Sequence, residues 1–139
     1  MKKLFDFQFN ANLLNVGILF ARIAGGAFML THGLPKLEKL MAGGEIQFAD
    51  PMGIGVYASL LIAVLTEVVC AFLLIFGLTT RLALFGLVSV MAVAAFVFHG
   101  GDSFGDKEKA LLYLVIYGLL FVTGAGKYSL DYLIYKKMK

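Results

Sequence analysis

Between Gly53 and Gly77 the chain reads GIGVYASLLIAVLTEVVCAFLLIFG, apolar throughout except for one charge, Glu67. A helix rises about 1.5 Å per residue and a hydrocarbon core is about 30 Å thick, so about 20 apolar residues suffice to cross it. This run is long enough. Glu67 then falls near the middle of the bilayer, where an ionised carboxylate is costly unless it is paired or protonated. Whatever fold the chain adopts has to give Glu67 a partner or keep it neutral.

The rest of the chain agrees with a membrane setting. Of its 139 residues 60% are hydrophobic, and the mean hydropathy is +0.89. Soluble domains average about 45–50% apolar residues. Nothing resembles a linker, so a single domain over residues 1–139 is expected. The pI near 9.0 comes largely from lysines close to the two termini. That placement suits lipid headgroups, not nucleic acid. Cys70 is the single cysteine, which excludes an intrachain disulfide and any CxxC site. The N-terminus is basic, but the first apolar run contains Arg22 and no convincing cleavage site follows it, so we read it as a retained span.

The expected fold is all-α: an antiparallel bundle of four transmembrane helices over about 13–31, 53–77, 82–98 and 110–123. Amphipathic interfacial segments at Met1–Asn12 and Tyr128–Lys139 flank it. In the first span Gly17, Ala21, Gly25 and Gly26 would let a neighbouring helix approach closely. His32-Gly33-Leu34-Pro35 should end or bend that span. Gly105–Lys109 reads as a charged loop. Lys2, Lys3, Arg81, Lys127, Lys136, Lys137 and Lys139 fall on one side, against Lys36, Lys39, Lys107 and Lys109 on the other. The excess puts both termini in the cytoplasm.

The residues able to do chemistry are few. With the spans set by their lengths, Arg22 and Glu67 both lie about 15 Å from the cytoplasmic face. Antiparallel neighbours would therefore join them as a buried ion pair, which could hold the bundle together or meet a substrate, a proton or a quinone oxygen. His32 and His99 each close a span on the opposite side, as helix caps or proton carriers. Arg22, Gly25, Met29, His32 and Lys36 share one helical face. No His-x3-His or Cys/His spacing supports a metal site, and none is expected. Cys70 is expected to be a small buried residue, and Tyr113 with Tyr117 to pack or to hydrogen-bond between helices.

Read together, these motifs resemble the DoxX family of small membrane proteins. The resemblance is carried by Arg22-Ile23 with Gly25 and Gly26, His32-Gly33-x-x-Lys36, Glu67, Leu73–Arg81, Met91-Ala92, His99 and the tail Gly124–Asp131. It implies a four-helix bundle in the cell's inner (plasma) membrane. It also implies a link to quinone-linked or sulfur and thiol redox systems, as a membrane subunit beside a redox partner subunit. On that view quinone, with no intrinsic cofactor, would sit between the helices near Arg22, His32, Lys36, Glu67 and His99. A small-solute transporter, a non-enzymatic scaffold and a homo-oligomer remain open alternatives. Membrane lipid is the one partner common to all of them.

Overall fold

The computed structural model describes residues 10–139. All but the last three residues of the segment Met1–Asn12, read above as interfacial, lie outside that range. Among the described residues there is no strand. The helices are α1 (Ala11–Ala42), α2 (Val56–Phe76), α3 (Thr80–Phe98), α4 (Phe104–Thr123) and α5 (Leu130–Lys137). Each of α1 to α4 packs on its neighbour in the chain, and α4 returns to α1, closing a four-helix bundle. The first three are long and apolar enough to cross a membrane. By contrast, α4 opens on Asp106, Lys107, Glu108 and Lys109. Outward faces carry Phe20, Phe28, Leu82, Phe85, Leu119 and Val122, all exposed, as a lipid-facing surface requires.

Asn10 starts α1: its side-chain oxygen accepts from the amides of Asn12 and Leu13, each at 3.1 Å. Of the two outcomes expected at His32–Pro35, an end or a bend, the end is not found: the helix runs on to Ala42, where Gly43 and Gly44 at φ 69° and 85° end it. Packing beyond the proline outweighs the missing N–H. Leu37 and Leu40 cover a buried cluster of Leu60, Val64 and Val68. At 32 residues α1 is about 48 Å long, so its last turns lie outside a 30 Å core.

Two glycines set how α1 meets α2. A Cβ on Gly26 would lie 2.9 Å from the Ala71 carbonyl oxygen, and one on Gly33 2.9 Å from that of Glu67. The close approach is therefore made at Gly26 and Gly33, two turns apart. Gly17 faces open space instead, and Gly25 lies against Tyr117 of α4. Wider, π-type turns interrupt α2 at Leu65–Cys70 and α3 at Val93–Phe98. The charged stretch before Ala110 is the first turn of α4, not a loop: Ser103 Oγ donates to Asp106 at 2.7 Å, and Asp106 suits the positive end of the helix. The core is Met29, Ala71, Leu74, Leu84, Leu87, Ala95 and Tyr117. Beyond the bundle, Ser129 accepts from the Tyr132 amide at 3.1 Å to cap α5. Its Leu130, Leu133 and Ile134, with Met138 just beyond it, all stay exposed.

Candidate functional site

Among the described residues Arg22 and Glu67 are the two charged side chains most deeply buried, at 1% and 2% exposure. They do not pair. The expected Arg22–Glu67 ion pair set the start of the first span level with Gly77; instead Arg22 itself lies at Gly77, so α1 begins about three turns beyond the end of α2. Glu67 lies level with Gly33, while Arg22 lies level with the far end of α2.

There the guanidinium is answered by main chain. Arg22 Nε donates to the Leu74 carbonyl at 3.0 Å and Nη2 to that of Ile75 at 3.0 Å. Nη1 donates to Tyr128 O at 3.0 Å and to Ala125 O. The first two are carbonyls at the end of a helix, where a cation is favoured. Gly77 closes α2 at φ 65°, and the Leu78 amide bonds back to Leu73 O at 2.9 Å. A Cβ on Gly77 would lie 2.7 Å from Arg22 Cζ and 2.6 Å from Ser129 Cβ. Asp131 completes the corner. Its carboxylate accepts from the Thr79 amide at 2.7 Å and the Thr80 amide at 2.9 Å, capping α3. Burial pushes the Asp131 carboxyl up, but those amides and the Arg22 charge outweigh it and hold its pKa below the usual carboxylate range.

Glu67 has a different partner, Lys36, whose ammonium donates to its Oε1. Lys36 is one turn beyond Gly33, so its flexible stem reaches back along the helix contact. Glu67 Oε2 is buried without a hydrogen-bond partner. Lys36 and Glu67 line a cavity of about 720 Å³ between the helices, together with His32, His99 and Tyr113. The sequence-derived candidates are thus split: four of them share this cavity, and Arg22 stands apart at the corner. His32 lies inside α1, not at its end, with its ring edge-on to Tyr113 at 6.0 Å. His99 follows the last residue of α3, and its Nδ1 lies 2.8 Å from Asp102 Oδ2. Tyr113 stacks on Tyr117, whose hydroxyl donates to Gly25 O at 3.0 Å.

Much of the cavity wall is apolar, with Ile62, Ala63, Met91, Ala94 and Phe98. Exposed Ile62 of α2 and Phe85 of α3 also line it. The connection before α2 contributes Phe48, Pro51, Met52 and Ile54. Asp50 shapes that connection, accepting from Ile54 N at 3.0 Å, Gly55 N at 2.8 Å and the Ser59 hydroxyl at 2.8 Å. The Ser59 bond leads these in holding the Asp50 carboxyl below its ordinary pKa. Sequence reasoning gave this segment no part in the site, its only signal being glycine and proline flanking apolar residues, and gave Asp131 a place in the tail motif but no task. Among the described residues no group of His, Cys, Asp and Glu could hold a metal ion. Cys70 is half-buried, its sulfur against Gly86.

A helical bundle with a lipid-facing exterior, three crossing-length helices and buried charge is a membrane-embedded, multi-pass protein. Its family is DoxX, whose profile matches residues 17–100, and the chain belongs to it. An uncharacterized protein of Haemophilus influenzae is 35% identical over 130 residues, covering 86% of this chain and 92% of its own. The Escherichia coli inner membrane protein YqjF is 32% identical over 131 residues, 90% of this chain and 97% of its own. No solved structure matches the chain.

Proposed function

We propose that this protein lies in the inner membrane and serves a quinone-linked or thiol redox system as its membrane subunit, binding a quinone-type molecule in the cavity at Glu67. In this reading α4 is a fourth crossing, and both termini face the cytoplasm. The observation that carries it is the composition of the cavity. A largely apolar wall surrounds Lys36, Glu67, His32, His99 and Tyr113, which suits a molecule with an apolar body and a small polar head. A buried ionisable residue in a membrane bundle is itself a pointer to function. The two histidines could give or accept hydrogen bonds at the head. The name of the Escherichia coli relative supports the membrane assignment.

The test is direct binding. Purified protein in detergent should bind a short-chain benzoquinone, and His32→Ala or His99→Ala should lower that affinity about tenfold while the thermal melt of the bundle holds. An unchanged affinity in both variants overturns the site. Solute flux into liposomes, with no quinone binding, would favour the transporter.

A further inference from the structure

Resting on that reading, we propose that the head of the ligand carries a hydroxyl, so that the cavity prefers a hydroquinone-type molecule to the matching quinone. The juxtaposition of Glu67 and Lys36 carries the argument. Glu67 is 2% exposed, gives Oε1 to the Lys36 ammonium and keeps Oε2 without a partner. A carboxylate paired with an ammonium is ionised and can only accept. A buried acceptor left unbonded is costly, so a donor at this point adds more than its ordinary worth.

Lys36 offers the opposite. Its ammonium has three N–H donors, of which Glu67 is the side-chain partner of one. Its side chain is 29% exposed and lines the same cavity. An unanswered acceptor and spare donors therefore stand side by side. A quinone carbonyl or an ether oxygen answers only the ammonium. A hydroxyl accepts from Lys36 and donates to Glu67 together. The last torsion of a glutamate is soft, so the carboxylate can turn Oε2 towards the cavity without moving the backbone. The rings of His32 and Tyr113 beside it, with Met91, Ala94 and Phe98 beyond, leave an apolar bed for an aromatic head and its tail.

The probes are a short-chain 1,4-benzoquinone, the hydroquinone it gives on reduction, and the dimethyl ether of that hydroquinone. They are titrated calorimetrically into the full-length protein without oxygen. The hydroquinone should bind about tenfold or more tightly than either of the others. In Glu67→Gln, whose amide can donate to a carbonyl as well as accept, that margin should shrink below about threefold. Equal affinities in the wild type overturn the proposal and leave the quinone-type reading standing. A margin that survives in folded Glu67→Gln overturns it too. Should that variant not fold, the wild-type series decides alone. Binding of none of the three removes the reading and the inference together.

Discussion

Two buried charges, each almost wholly withdrawn from the surface, are treated in opposite ways. The Arg22 corner answers its guanidinium with four main-chain carbonyls and braces itself with Gly77 and Asp131. The Glu67 region satisfies one oxygen with a flexible lysine, leaves the other bare and borders open space. Burial by itself does not separate structure from function here. What separates them is how completely the charge is answered: a saturated group holds helices, and a half-answered one has capacity left for a ligand.

That contrast can be broken by mutation. The largest effect is expected at Arg22→Met, which leaves four carbonyls without their donor and should cost at least about 3 kcal/mol in SDS-induced unfolding. Arg22→Lys should recover little, since an ammonium cannot reach the same spread of acceptors. Next comes Gly77→Ala. A side chain there meets both a left-handed backbone and Arg22 itself, and about 2 kcal/mol should be lost in the same assay.

Asp131→Asn should cost about 1 kcal/mol, because an amide caps the Thr79 and Thr80 N–H groups less well. The sign of its pH dependence follows from a lowered folded-state pKa. Its stabilisation is complete above the ordinary carboxylate range and disappears as the pH falls through that range towards the folded value. Acid melts of Asp131→Asn should therefore fall less steeply than those of the wild type. The smallest effect on stability is expected at Glu67→Gln, below about 1 kcal/mol, since it removes a buried charge whose partner, Lys36, still reaches the cavity and solvent. Lys36→Met should cost more than the double variant Lys36→Met/Glu67→Gln, measurable as a double-mutant cycle. If Glu67→Gln destabilised as much as Arg22→Met, the two regions would be equivalent and the cavity would lose its distinction.

The helices, their lipid-facing character and the burial of Glu67 were legible because apolar length and an isolated charge are local features. The pairing was not. Which charge meets which depends on helix register, and α1 runs past the end of α2 instead of starting level with it. Packing of Leu37 and Leu40 on the cluster of Leu60, Val64 and Val68 carries α1 beyond Pro35, through contacts between residues far apart in the chain. Gly26 and Gly33 set the approach for the same reason: the small residue facing a neighbour matters, not the regularity of the spacing. His32, Lys36, Glu67 and His99 could be singled out by residue type, but their common cavity emerges only once four helices and the connection at 43–55 are in place. The tail Gly124–Asp131 stood out as a motif, while its task of supplying carbonyls to Arg22 was invisible in one dimension.

Two of the four acceptors of Arg22, Ala125 and Tyr128, lie 103 and 106 residues downstream of it. A ribosome adding about 5–20 residues per second needs roughly 5–20 s to cover that distance. Throughout that interval the first helix carries a cation whose final acceptors have not been synthesised. Insertion machinery must therefore shelter it, or leave that end of the helix at the water boundary until the tail arrives. A nascent chain halted just after Thr123 should stay sensitive to protease at its first helix, and release of the last sixteen residues should end that sensitivity.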